Sequence, residues 1–158
     1  FLLVKYWLYN KEIIKSLVPN YKNLKKIFFF GIGSAIALTV HSIFLGIEFD
    51  NNFYKLFRRL IMFIFIIFEV AAQAYLVIAL YFFKKKLLKY INLNILKIKI
   101  ILVSILIVIA LICIPIISWP GDKFKFLKHL LEWDYFIGII TFYLLTFLMW
   151  KKNNKFLK

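Results

Sequence analysis

The sequence predicts an all-α, polytopic membrane bundle, and three observations carry that prediction. Residues counted as hydrophobic make up 64% of the chain, with a mean hydropathy of +0.87. Soluble domains run near ~45–50% apolar, so this excess does not fit inside one water-soluble core. The apolar residues gather in four runs, and the 22 Lys and Arg stand in blocks between them. One run, Leu60 to Phe83, is closed by Arg58-Arg59 on one side and Lys84-Lys85-Lys86 on the other. Its roughly two dozen residues, at ~1.5 Å rise each, cross a ~30 Å hydrocarbon core with tilt to spare.

The net charge of +15 bears on partners. In a soluble fold it would raise nucleic acid as a partner. Here the basic blocks flank apolar spans, so anionic lipid headgroups are the simpler counterpart and no nucleic acid is expected. Cys113 is the lone cysteine, which excludes an intrachain disulfide.

The chain opens on FLLV followed by Lys5, Tyr6 and Trp7. An apolar stub meeting Trp and Lys reads as the last turn of a span leaving through its aromatic belt. The natural N-terminus is therefore expected to lie further upstream. Residues 5–26 carry six lysines against one acid, Glu12, and Pro19-Asn20 interrupts them. This segment predicts a connecting loop with a short interfacial helix over residues 8–17.

The first complete span is predicted over residues 27–47. Its Gly33-x-x-x-Ala37 spacing is a small-residue face, on which a neighbouring helix packs by van der Waals contact. A mixed loop, 48–59, leads to the second span, 60–83. A second basic connection, counted to include Lys97 and Lys99, leads to the third, 98–119. Pro115 predicts a kink near its end, and Pro120-Gly121 a turn. The fourth span covers residues 130–150, and Lys151, Lys152, Lys155 and Lys158 close the chain.

Orientation follows from charge. The N-terminal, second-connection and C-terminal segments hold sixteen of the 22 Lys and Arg, while most acids lie with the other two loops. Four spans put those three basic segments on one side, and the positive-inside rule makes that side cytoplasmic. Trp119 and Trp133 then fall at the outer interface, Trp150 at the inner.

Glu69 is the residue most out of place. A charge at the bilayer centre costs roughly 2.5–3.5 kcal/mol on insertion scales, and such residues face the bundle interior. Gln73, four residues on, shares its helix face. A neutral, hydrogen-bonding carboxyl is expected there, either as an interhelical hydrogen bond or as a contact to substrate, proton or headgroup. A second polar group gathers at the outer face: His41, Arg58, Arg59, Asp122, His129, Glu132 and Asp134. His129 and Glu132 have an i, i+3 metal-ligand spacing. Two histidines and one cysteine in a span make a metal site a poor fit, and none is expected. Glu132 and Asp134 are also what a helix N-terminus favours. Lys84, Lys85, Lys86 and Lys89 are candidates for anionic lipid contact. No nucleophile elbow, phosphate-binding glycine loop or zinc-protease motif occurs, and no cofactor is expected.

The fourth span reads His129-Leu-Leu-Glu132-Trp133-Asp134-Tyr135-Phe136, then Thr141-Phe142-Tyr143-Leu144-Leu145-Thr146-Phe147. It resembles the last helix of the Frag1/DRAM/Sfk1 family, where a Glu-aromatic pair opens the final span. The resemblance rests on this one helix, and Glu132 and Trp133 are the residues it carries over. It implies a six-span protein with both ends cytoplasmic, of which residues 1–158 form the C-terminal part as a single transmembrane domain. It also implies roles in lipid handling, membrane organisation or autophagy-type signalling.

Two functional expectations result. The leading one is a non-enzymatic integral membrane protein that binds lipid, a partner membrane protein or the missing N-terminal helices. The other is an intramembrane enzyme or transporter built on a polar track from the outer face to Glu69.

Overall fold

In a computed structural model the described residues form six helices: α1 (Leu2–Leu17), α2 (Leu24–Leu45), α3 (Asn52–Phe82), α4 (Lys84–Leu87), α5 (Leu93–Ser118) and α6 (Lys125–Met149). The structure describes residues 2–19, 21–47, 51–118 and 125–150, without the side chains at 17, 52, 55, 113–118, 125, 128, 129, 131 and 132. The expected features at Glu48, Asp50, Trp119, Pro120-Gly121, Asp122 and residues 151–158 lie outside the described residues, as do the side chains of Cys113 and Pro115. Among the described residues, three helical stretches are long and apolar enough to cross a membrane: Leu24–Leu45, Leu56–Phe82 and Leu93–Ile112. The apolar part of α6, Trp133–Met149, is shorter. Many large apolar side chains on these stretches point outward, among them Ile43, Ile67, Ile101, Val108 and Leu111. Helices that hide only a narrow stripe and expose the rest of an apolar surface are built for a hydrocarbon solvent.

The chain folds as two compact units, Phe1–Leu76 and Val77–Lys158. In the first, α1 differs from expectation. It is one helix from Leu2 to Leu17, not a stub followed by a loop and a short helix. Trp7, Asn10 and Ile14 recur at helical spacing and are all buried, which gives α1 a stripe to lay on α2. Trp7 is 0% exposed, and its indole covers Gly31, where a Cβ would collide with the ring. Asn10 Nδ2 donates to the Tyr6 carbonyl at 2.9 Å, so the buried amide is satisfied within its own helix.

α2 turns a stripe of Leu24, Ile27, Gly31 and Ser34 inward, a three-four-three spacing. The small-residue face works differently from its prediction. The close approach of α2 is to α1 on the Gly31 side. Gly33 instead leaves room for the ring of Phe68 on α3. That ring meets Phe30 edge-on at 5.4 Å, and Phe30 stacks on Tyr75 at 5.8 Å. At the opposite end, Phe44 meets Phe57 at 5.2 Å. The Tyr54 hydroxyl faces the carbonyls of Phe44 and Ile47, the latter at 2.6 Å. Carbonyls at a helix end have no intrahelical donor, so Tyr54 caps α2 from α3.

α3 starts at Asn52, where Asn51 Oδ1 accepts the Phe53 amide at 3.0 Å. Arg58 and Arg59, placed by the sequence at the end of a loop, are therefore helical. The second unit shows the same early start. Asn92 Oδ1 accepts the Asn94 amide at 3.0 Å and α5 begins at Leu93, so Lys97 and Lys99 belong to a helix and not to a basic loop. α5 packs on α6. Leu96, Lys99, Val103 and Leu106 form the buried stripe of α5; Tyr135, Ile139, Phe142, Thr146 and Met149 form that of α6. The antiparallel bridge of Ile91 with Trp150, and the Asn92 amide donating to the Met149 carbonyl at 2.9 Å, tie the ends together. α6 starts at Lys125, so Glu132 and Asp134 lie seven and nine residues inside it. The helix dipole acts over the first turn and does not account for them.

Candidate functional site

The polar centre of the first unit is built on Glu69. The residue falls on the α3 stripe of Ile61, Phe65, Glu69, Ala72 and Leu76, so helix geometry itself carries the carboxyl inward. Glu69, Gln73 and Ser34 are each 0% exposed. Ser34 Oγ lies 2.7 Å from Glu69 Oε2 and 2.8 Å from the Gly31 carbonyl. Gln73 Nε2 donates to Glu69 Oε1 at 2.8 Å. One hydroxyl hydrogen cannot fully serve two acceptors. A carboxyl that carries its own proton donates to Ser34 Oγ and leaves the hydroxyl free for the carbonyl. The hydrogen count thus accommodates the neutral acid expected from the sequence. Chemically, the arrangement joins two helices through one buried carboxyl. The Gln73 Oε1 atom is buried without a hydrogen-bond partner among the described residues.

The other members of the expected outer group do not gather around Glu69 on the α2 and α3 surfaces. His41 is half-buried and lies two turns beyond Ser34 on α2. Arg58 is half-buried, with its guanidinium 6.0 Å from the Tyr54 ring, and Arg59 is exposed. Between these residues and Glu69 the facing surfaces are apolar. Gly33, Ile36, Ala37, Val40, Ile61, Ile64 and Phe68 line an open groove of about 290 Å³ there. Small-molecule sites begin near ~300 Å³ and are mostly apolar, so the groove has the volume for a short stretch of hydrocarbon.

In the second unit, Asp134 is exposed, and the side chains of His129 and Glu132 lie outside the described residues. Trp133 is exposed, edge-on to Phe136 at 6.4 Å. Among the described residues no three His, Cys, Asp or Glu side chains come together as a metal cluster. Lys84 Nζ sits 4.1 Å from the Tyr81 ring centroid, while Lys85, Lys86 and Lys89 are exposed.

Sequence reading missed one residue outright. Lys99, counted with a basic loop, is 0% exposed. Its Nζ donates to Thr146 Oγ1 and lies 3.9 Å from the Phe142 ring centroid. Thr146 Oγ1 in turn donates to the Phe142 carbonyl at 3.0 Å, which commits its hydrogen and leaves lone pairs for the lysine. The signal was present in the spacing: 96, 99, 103 and 106 form a single helical stripe in which Lys99 replaces an apolar residue. No protein-family model, curated protein or solved structure matches the chain.

Proposed function

We propose that the chain is a non-enzymatic, multi-pass membrane protein of lipid handling, in which the α2–α3 groove takes the acyl chain of a bilayer lipid. The observation that carries the reading is the groove itself. It is apolar along its whole lining, and it opens on a helix face where Ile36 and Ile64 are exposed. In a bilayer the medium at that face is lipid tail. A helix with side chains is ~10–12 Å wide, so a partner helix would overhang a groove of this volume, whereas an acyl chain would lie along it. Glu69 serves this reading as a structural hydrogen bond beside the groove. The transporter alternative needs polar groups between His41 and Glu69, and the apolar facing surfaces favour the lipid reading.

The proposal extends to topology. α6 is the fourth span, and the basic N-terminal segment, the Lys84–Lys99 region and the C-terminus are cytoplasmic, following the distribution of Lys and Arg. Lys85, Lys86 and Lys89 then face anionic headgroups. The resemblance of the last helix to the Frag1/DRAM/Sfk1 family points toward the same class of role.

Photocrosslinking tests the groove. The protein in nanodiscs, with a phospholipid bearing a mid-chain diazirine, is expected to give peptide adducts at Val40 or Ile61. Ala37→Phe, which fills the groove, is expected to remove these adducts and leave those on the exposed face of α5 unchanged. Adducts that persist in Ala37→Phe contradict the reading.

A further inference from the structure

Contacts across α2 and α3 fix the register of the groove between them. Gly33 faces the Phe68 ring, and Phe44 meets Phe57 at 5.2 Å. Val40 and Ile61 therefore stand level with each other, one helical turn short of the Phe44–Phe57 contact. Val40 to Gly33 and Ile61 to Phe68 are seven steps each, so the groove runs ~10.5 Å along the helices.

One end of that run meets the membrane surface. Arg58 and Arg59 precede Leu60, where the apolar run of α3 begins, so Ile61 stands at the first layer of hydrocarbon. A ~30 Å core gives each leaflet ~15 Å, and a groove of ~10.5 Å starting there stays within one leaflet. It is the leaflet on the side of Asn52, where α3 starts.

Arg58 is at this same end. It is three residues from Ile61, the spacing of neighbours on a helix surface. Its guanidinium lies 6.0 Å from the centre of the Tyr54 ring. Tyr54 is itself anchored to α2: its hydroxyl faces the carbonyls of Phe44 and Ile47, and its ring is 6.3 Å from that of Phe44. Helical side chains lean toward the N-terminus, so the guanidinium is held at the α2–α3 seam about one turn beyond the groove. Arg58 is half-buried, which leaves part of it open to the headgroup layer.

We propose that the groove lipid is a phospholipid of this leaflet, with its phosphate on the Arg58 guanidinium and one acyl chain in the groove. This rests on the groove's holding an acyl chain, and it adds the headgroup contact that selects the lipid. The planar fork of arginine presents paired N–H donors that match phosphate oxygens. The turn of helix between Arg58 and the groove leaves room for the glycerol that separates phosphate from acyl chain. A fatty acid carries its carboxylate directly on the chain and has no such spacer, so the spacing favours the phospholipid.

The test uses the full chain in phosphatidylcholine nanodiscs with three trace probes, each bearing the same mid-chain diazirine. They are phosphatidylglycerol, monogalactosyl diacylglycerol (the same tails without phosphate) and the free fatty acid. Adduct yield at Val40 and Ile61, divided by that on the exposed face of α5, reads occupancy of the groove. Phosphatidylglycerol is expected to exceed the galactolipid about tenfold. Arg58→Gln is expected to bring the two to the same low yield. Arg59→Gln, which removes the exposed neighbouring charge, is expected to behave as wild type. Equal groove yields from phosphatidylglycerol and galactolipid in the wild-type protein overturn the proposal, whether or not a variant folds, and leave the acyl-chain reading standing. Equal losses in Arg58→Gln and Arg59→Gln also overturn it, because they report a general attraction for anions. A fatty acid that outdoes phosphatidylglycerol overturns the choice of ligand. No groove adducts from any probe contradict the acyl-chain reading, and the proposal with it.

Discussion

At the scale of single residues, the informative side chains are those that interrupt an apolar stripe. Glu69 was legible because a lone carboxyl in a long apolar run stands out, and because Gln73 shares its face. Its partner on α2 was not singled out: Ser34 Oγ lies within hydrogen-bond distance of both Glu69 Oε2 and the Gly31 carbonyl. Lys99 was missed because lysines next to an apolar run are normally topology signals, and its helix begins at Leu93, before the apolar run that starts at Ile98. The structure gives the Glu69 cluster a definite expectation. Glu69→Gln keeps a neutral group of the same shape and is expected to lower stability by less than about 1 kcal/mol. Glu69→Leu strands the Gln73 amide in a buried position and is expected to cost about 1–3 kcal/mol. Unfolding in mixed micelles measures both. Equal losses in the two variants would show that the carboxyl is needed in its charged form.

At the scale of elements, the helices were legible and their beginnings were not. Hydropathy places a boundary where apolar residues start, but α3 and α5 begin earlier, where Asn51 and Asn92 accept backbone amides. α1 was hidden for a related reason. Its lysines and the Pro19-Asn20 break made residues 5–26 look like a connection, while the stripe of Trp7, Asn10 and Ile14 fits it to α2. Lys11 stays on this helix with its Nζ 4.0 Å from the Phe28 ring centroid, which gives the charge an aromatic contact beside α2. The α1–α2 packing depends on the missing side chain at Gly31. Gly31→Val drives branched carbons into the Trp7 indole and is expected to destabilise the protein by about 1–3 kcal/mol, with Trp7 fluorescence moving to longer wavelength. Gly46→Ala meets open space and is expected to change stability by less than about 0.5 kcal/mol. Comparable losses at both positions would contradict the assigned packing.

At the scale of the whole molecule, the two units share one design. Each carries apolar helices that hide a narrow stripe, present large aliphatic side chains outward, and place one polar group on that stripe where a neighbouring helix meets it. Composition alone revealed that the solvent is hydrocarbon, because no packing scheme hides so many apolar residues from water. It could not reveal which polar groups pair, since that depends on the register between helices and is not encoded by any single run of sequence. Sidedness rests on charge counting, which makes it open to a direct experiment. Single cysteines placed at Asn51, Lys15 and Lys86 in a Cys113→Ser background, all at exposed positions, can be tested in intact cells with a membrane-impermeant maleimide. The account predicts labelling at 51 in intact cells, and at 15 and 86 only after permeabilisation. Labelling at 86 in intact cells with protection at 51 would reverse the orientation, and labelling at all three without permeabilisation would contradict a membrane-spanning bundle.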